Sequence, residues 1–482
     1  MNIQKISECV REFKEGDMRV PARIYANQKL FDAMEEGVFR QAGNVAKLPG
    51  IQKASLVMPD GHFGYGFPIG GVAGFDMDEG IISPGGVGYD INCGVRLLTT
   101  NLTVGEIRPK IRELIERLFK NIPSGVGSKG RLRLSEAELD DAVTLGARWA
   151  VENGYGREDD LAHIEENGQI QAADPACVGN KAKQRGLPQF GTLGSGNHFL
   201  EIQFVESIYD DSMAGNFGIN PLSGNEKRRG DDRQVTVMVH CGSRGFGHQI
   251  ADDYIGIMLS AAKKYNISLP DKELACAPIK SPEAEKYISA MRCAVNYAFA
   301  NREIITHWVR ETFVSLFRDI EIDLVYDVCH NIAKFEKHKV DNEMKMLCVH
   351  RKGATRAFPA GRDEVPQTYR KVGQPVIVPG DMGTASYLLV GTEKAMDETF
   401  GSVCHGAGRV MSRAAAVRKF RGSDVKTRME SQGKYVKAVS LKVLAEEVSQ
   451  AYKDIDQVIK SVESAGISKT VARVVPLGVV KG

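Results

Sequence analysis

A single domain that interleaves helices with strands is what this 482-residue chain predicts, and three observations carry that reading. Stretches of helical periodicity and β-branched runs follow one another along its whole length. No internal repeat, low-complexity tract or Pro/Ser linker divides it. The glycine-rich stretches that hold its reactive side chains run from residue 58 to residue 481. They must meet in one interwoven body, against the two or three domains that length alone suggests.

Composition narrows the class. A hydrophobic content of 43% and a charged content of 26% are those of an ordinary globular protein. No apolar run approaches transmembrane length, so no membrane partner is expected. The first residues mix Lys, Arg and Glu without an apolar h-region, which predicts no signal peptide. With 63 basic against 61 acidic residues, a nucleic-acid partner would need a local basic patch. Nine scattered cysteines without a CxxC pair argue against a disulfide scaffold or a zinc ribbon. They predict a reducing compartment, the cytoplasm.

Residues 28–46 repeat small and apolar positions at helical spacing. Met58-Pro59-Asp60-Gly61-His62-Phe63-Gly64-Tyr65-Gly66-Phe67-Pro68-Ile69-Gly70-Gly71-Val72 is too rich in glycine for regular structure. It predicts a loop that brings backbone close to something. A second glycine-rich stretch, Ser83 to Leu98, ends in an alternating, β-prone run. Asp90 and Cys93 stand at its turn-to-strand junction, where short side chains can converge on a cation. Alone, an Asp-x-x-Cys reads more readily as a turn Asp and a core Cys.

Amphipathic helices are predicted over 106–120 and 135–152, with a shorter acidic one at 158–167. Asn180-Lys181-Ala182-Lys183-Gln184-Arg185-Gly186 reads as a small basic loop. Gly191-Thr192-Leu193-Gly194-Ser195-Gly196-Asn197-His198-Phe199-Leu200-Glu201-Ile202 sets His198 and Glu201 at the mouth of a β-prone run. The polar segment 211–232 predicts a surface excursion. Val235 to His240 is a β-branched, buried strand that delivers His240 at its exit, followed by Cys241-Gly242-Ser243-Arg244-Gly245. After a long helical tract at 283–315, Ile320 to Asn331 repeats the arrangement, a strand with His330 at its end. Such strand ends favour active-site groups.

His350-Arg351-Lys352-Gly353-Ala354-Thr355-Arg356 reads as a second basic loop, and Pro379 to Tyr387 as a third glycine-rich turn. Then comes Gly401-Ser402-Val403-Cys404-His405-Gly406-Ala407-Gly408-Arg409-Val410-Met411-Ser412-Arg413. A helix beginning near Ala407 would set its unpaired N–H groups beside the imidazole. Arg409 and Arg413 would share one face, a seat for phosphate. A glycine-loosened loop with a surface His fits the stretch equally well. A basic stretch (Arg418, Lys419, Arg421), an amphipathic helix at 440–463 and an apolar segment from Val471 to Lys481-Gly482 complete the chain.

Of ten histidines, His198, His240, His330 and His405 occupy glycine-rich or strand-end positions. Together with Asp90 and Cys93 they are better explained by a metal centre than by four hydrogen-bonded core residues. Five candidate ligands (Asp90, Cys93, His198, His240, His330) for two ions imply a shared one. Thiolate bridges well, which puts Cys93 between them. Two such cations can clamp a phosphoryl group and lower the pKa of a bound water or hydroxyl. Ligand softness names Zn²⁺ as readily as Mn²⁺ or Fe²⁺.

Gly88-Tyr89-Asp90-Ile91-Asn92-Cys93-Gly94, Gly194-Ser195-Gly196-Asn197-His198-Phe199, His240 with Gly242-Ser243-Arg244-Gly245, and His405-Gly406-Ala407-Gly408-Arg409 resemble the RtcB-type RNA ligases. The likeness covers essentially the whole chain, in order. It implies an α+β fold, a single complex domain over 1–482 with mixed β-sheets and flanking helices. It implies an enzyme of tRNA splicing and RNA repair. Such an enzyme joins RNA ending in a 2′,3′-cyclic phosphate or 3′-phosphate to RNA with a 5′-hydroxyl, using GTP and two Mn²⁺ through a GMP-histidine intermediate.

On this resemblance His405 is the nucleophile. Asp90, Cys93 and His198 hold one Mn²⁺, and Cys93, His240 and His330 the other. The guanylate is surrounded by Asn197, His198, Phe199, Leu200 and Glu201, by His330 with Asn331, and by Pro379, Gly380, Asp381, Met382 and Ser386. Gly406, Ala407, Gly408 and Lys481 complete its surroundings. Arg244, Lys352, Arg409 and Arg413 are implied for RNA phosphates. Nothing is carried over to 211–232. Cys241 stands where the family often has a hydroxyl residue, with no loss of chemistry expected. Implied partners are tRNA halves and other broken RNAs and, where one is required, an archease-type activator.

Two rival functions remain. A two-metal phosphodiesterase would open cyclic phosphates without ligating and would need neither His405 nor Lys481. A metal-stabilised RNA-binding protein would show closed, four-ligand sites.

Overall fold

Two large sheets carry most of the strands of the computed structural model, which describes residues 2–220 and 230–482. The first sheet runs in the order Gln4–Lys5, Val10–Phe13, Ala22–Tyr25, Ile51–His62, Ile69–Asp76, Glu343–Lys352, Asn331–Val340. The second runs Ile322–Cys329, Gly94–Thr103, Gln234–Cys241, Phe199–Ile208, Ser468–Lys481, Ser386–Gly391, Pro375–Val378, and Tyr435–Ala438 lies parallel to Ser468–Lys481. Each sheet contains one parallel pairing among antiparallel ones, so both are mixed, and helices pack around them. The α+β expectation holds.

Register decides where the reactive residues go. In an antiparallel sheet, one strand begins where its neighbour ends. Gly94 pairs with both Cys241 and Cys329, while Phe199 pairs with both His240 and Lys481. Cys93, His198, His240, His330 and Lys481 therefore gather at one end of the second sheet. His330 is also the single residue between two strands, Ile322–Cys329 of the second sheet and Asn331–Val340 of the first. It stands where the two sheets meet. His405 follows the short strand Ser402–Cys404, which pairs with Ala354–Arg356 beyond the first sheet's Glu343–Lys352.

The helix Pro282–Val314 is buried along most of its length. Its apolar residues join a core shared with the strands Gly94–Thr103 and Gln234–Cys241. A helix enclosed on all sides carries apolar residues all round, which blurs the amphipathic signal. Its polar residues then require internal partners.

Several local expectations are corrected. The Met58–Val72 stretch is not all loop: strand continues to His62 and resumes at Ile69, leaving 63–68 outside regular structure. The register slips between Val57 and His62, so glycine here marks a bulge within a strand. The basic run 180–186 is the helix Asn180–Gly186. The 350–356 run is strand, and its charges are buried because Arg351 forms a fork on Glu336, with both contacts at 2.8 Å. Gly146, at φ +63°, divides 135–152 into two helices. The 28–46 span breaks after Asp32, and 440–463 breaks between Glu446 and Ile455. The helix expected to start near Ala407 instead starts at Arg413, capped by Ser412. The helix that follows His405 therefore begins eight residues beyond it, and its N-terminus is not the one expected at Ala407. Of the 211–232 excursion, Asp211–Asn216 is helical, and 221–229 fall outside the described residues.

Candidate active site

The turn before Gly94 brings into line two side chains that could ligate a metal, Asp90 and Cys93. Asp90 O accepts from the Cys93 N–H at 2.9 Å, and Asn92 sits at φ +52°. Cys93 Sγ lies 3.3 Å from His198 Nε2 and 3.2 Å from His240 Nε2. His198 Nε2 is 2.8 Å from Asp90 Oδ2, and His240 Nε2 is 3.3 Å from His330 Nε2. Two donor groups result, Asp90–Cys93–His198 and Cys93–His240–His330, with ligand atoms within 4.8 Å of one another in each. Cys93 belongs to both.

The glycines around these groups make room for ligands. A Cβ at Gly242 would sit 2.4 Å from both Asp90 carboxylate oxygens, and one at Gly194 would overlap His198 Nδ1. The donor set suits a cation. Burial, then the neighbouring imidazoles, holds His240 well below the usual histidine pKa, and burial followed by His405 does the same for His330. Both are thus neutral, the form that ligates. Burial opposes charge on His198, yet Cys93, Cys241 and Asp90 raise its pKa well above the ordinary value. Burial and Asp90 push the Cys93 thiol up to about 12. A cation binding here would displace both protons.

His405 stands beside this cluster, its ring centroid 4.8 Å from that of His330. Its Nδ1 lies 2.5 Å from Asp60 Oδ2, which also accepts from the backbone N–H groups of His405 (3.0 Å) and Gly406 (3.3 Å). Three N–H groups thus converge on one oxygen of a fully buried carboxylate. That arrangement puts the ring proton on Nδ1 and leaves Nε2 with its lone pair. Gly408, at φ +70°, permits the approach, since a Cβ there would meet Asp60 O at 2.1 Å.

A cavity of about 380 Å³ joins the nucleophile candidate to the donors. Its walls include Asp90, Cys93, His240, His330 and His405, with Asn197, Phe199 and Asn331. Pro379 to Met382, Gly406 to Gly408, Arg409, Arg413, Lys352 and Lys481 close it. A second cleft of about 450 Å³ adjoins it at Asp90, Asn197 and Arg413, and holds His198 and Arg244.

Three expected residues line neither opening. Leu200 is buried in the apolar core. Glu201 is buried and accepts from Gln203 Nε2 at 2.7 Å, with burial pushing its carboxyl up to about 7. Ser386 accepts from the Gly380 N–H at 3.3 Å, behind the wall. Lys352 is buried, not on a surface loop, and its ammonium donates to the carbonyls of Tyr65 and Phe67. Arg244 already donates to Gly125 O (2.9 Å) and Thr192 Oγ1 (3.1 Å).

Sequence reasoning passed over Asp60, Glu447 and Lys453. Asp60 carried a signal, a carboxylate between Pro and Gly two residues before a histidine. Glu447 carried none. It is buried, yet Arg409 (3.2 Å), Arg413 (3.1 Å), Lys481 (3.8 Å) and the Tyr452 hydroxyl all converge on it. Lys453 Nζ donates to Pro59 O and Gly61 O, on either side of Asp60.

Comparison with known proteins bears on this geometry. A family model described as tRNA-splicing ligase RtcB matches residues 41–482. A protein named tRNA-splicing ligase RtcB from Archaeoglobus fulgidus is 58% identical over 479 residues, 98% of this chain and 97% of its own. One of the same name from Thermococcus kodakarensis is 57% identical over 485 residues, covering 100% and 98%. That from Nanoarchaeum equitans is 49% identical across the full length of both.

Proposed function

Since the chain belongs to the RtcB family of tRNA-splicing ligases, we propose that its cavity joins RNA 3′-phosphate or 2′,3′-cyclic phosphate ends to 5′-hydroxyl ends, with GTP as the activating nucleotide and Mn²⁺ as the metal. The enzyme is an RNA ligase of tRNA splicing. We treat residues 1–482 as one catalytic domain, because the cavity draws on residues from His62 to Lys481. Nine free thiols support a reducing compartment such as the cytoplasm.

The observation that carries the reading is the Asp60–His405 pair beside the shared donors. With Nδ1–H donated to Asp60, the His405 Nε2 lone pair is the nucleophile. It attacks the α-phosphorus of GTP; the P–N bond forms, the bond to the β-phosphate breaks, and pyrophosphate leaves. A 2′,3′-cyclic end is first opened by water, which breaks the P–O2′ bond and leaves a 3′-phosphate; that phosphate then takes GMP from the imidazole as the P–N bond breaks. Attack of the 5′-hydroxyl on that activated phosphorus releases GMP and closes the phosphodiester. Arg409, Arg413 and Lys481 place positive charge at the wall, held there by Glu447. Two Mn²⁺, one in each donor group, would neutralise phosphate charge and lower the pKa of the attacking hydroxyl or water. Holding reactants in one enclosed volume supplies much of the remaining acceleration.

Incubation with labelled GTP and Mn²⁺, followed by denaturing electrophoresis, tests this. The wild-type chain should carry GMP and His405→Ala should not. An adduct on His405→Ala would sink the assignment. A phosphodiesterase that stops at hydrolysis leaves the Asp60–His405 pair without a role.

A further inference from the structure

Arg302, at the middle of the helix Pro282–Val314, is fully buried and outside the cavity. Its guanidinium has five N–H donors, and the structure gives it five acceptors. Nε and Nη2 form a fork on Asp327, at 2.8 and 2.7 Å. Nη1 donates to Asn92 O at 2.9 Å and to Cys241 O at 2.8 Å, and Nη2 donates to Asn92 Oδ1 at 3.0 Å.

These partners are not arbitrary. Asn92 precedes Cys93, Cys241 follows His240, and Asp327 lies three residues before His330 in the strand Ile322–Cys329. One planar group therefore ties together the three segments that deliver Cys93, His240 and His330. Gly94 admits it: a Cβ there would stand 3.2 Å from Nη1 and from Cζ of Arg302. Asn301, the preceding residue, does the same for a further segment. It accepts from the N–H groups of Gly191 and Thr192 and donates to Thr192 O, on the approach to His198. As a contribution to stability alone, a buried ion pair is a poor choice, since apolar residues of like volume do as well or better. A device that sets the spacing of ligands requires the fork.

We propose that Arg302 is a positioning residue that fixes the separation of the shared thiolate from its histidine partners, and so sets the affinity and ligand field of the metal pair. This rests on the reading of Cys93 as a shared ligand.

The test uses Co²⁺ as the probe on the full-length chain. Absorption titration reads affinity, the thiolate-to-Co²⁺ charge-transfer band in the near ultraviolet and the d–d bands in the visible. Arg302→Lys keeps the charge but has three donors on one atom and cannot form the fork. It should fold cooperatively by circular dichroism yet bind Co²⁺ about tenfold or more weakly, with a shifted or weakened charge-transfer band. Asn92→Gly keeps the left-handed backbone and removes the Oδ1 acceptor, together with the Nδ2 donor to Val295 O; it should weaken binding less, in the same direction. Asn92→Gly still reports if Arg302→Lys does not fold. Wild-type affinity and spectrum in every variant that folds would overturn the proposal. A wild-type protein without any thiolate band would instead overturn the shared-ligand reading, and the role of Arg302 with it.

Discussion

Nδ1 of His405 and Oδ2 of Asp60 lie 2.5 Å apart, although 345 residues separate them in the chain. The carboxylate accepts the ring proton and so decides which nitrogen keeps a lone pair. Ala at position 60 removes that acceptor and frees the ring to carry its proton on Nε2. Asp60→Ala should therefore slow GMP transfer to the protein on the order of 10²–10⁴-fold, as in other carboxylate–imidazole pairs. Single-turnover labelling with GTP measures this, and an unchanged rate would refute the tautomer argument.

Cys93 belongs to both donor groups, whereas His198 and His330 each belong to one. Cys93→Ala should lose both ions. His198→Ala and His330→Ala should each retain about one, given independent remaining ligands. Equilibrium dialysis against Mn²⁺ with elemental analysis gives the stoichiometry. A Cys93→Ala protein that still holds two ions would exclude the bridge.

Glu447 is the common partner of Arg409, Arg413 and Lys481. Removing it leaves three positive groups crowded at the cavity wall without the counter-charge they share. Glu447→Gln should cost about 3 kcal/mol or more of stability, the usual penalty for breaking a buried pair from one side. Denaturant unfolding reads the loss; a change below about 0.5 kcal/mol would show that solvent already screens these charges.

Burial lowers the Lys352 ammonium to about 7 from its ordinary 10.5. Between those values the unfolded chain binds the proton that the folded chain releases, so stability should rise with pH across that window. The cost of the buried charge is fully present below pH 7. Lys352→Met, which has no charge to bury, should lack this slope of at most about 1.4 kcal/mol per pH unit. Parallel pH dependences of wild type and variant from pH 7 to 10 would contradict it.

Much of the candidate site was legible in the sequence. Gly194, Gly242 and Gly408, near His198, His240 and His405 in the chain, mark places where a Cβ would block a candidate ligand or the backbone of Asp60. His240 and His330 stand after β-branched runs, and strand ends are readable from composition. What failed to show was of two kinds. Basic runs such as 350–356 look solvated in sequence, because the Glu336 that neutralises Arg351 lies fifteen residues away, across a strand pairing. Glu447 looked like one more charge on an amphipathic helix, since nothing local records which cations will surround it.

The sequence by itself determined which side chains can ligate a cation or attack phosphorus and which backbone positions must stay bare. Donor chemistry and the absence of a Cβ are properties of single residues, present before folding. Tertiary structure alone decided that Asp60 orients His405, that Glu447 gathers three cations and that Arg302 spans three strand ends. Each is a contact between segments far apart in the chain, set by sheet register, and register follows from the packing of the whole molecule.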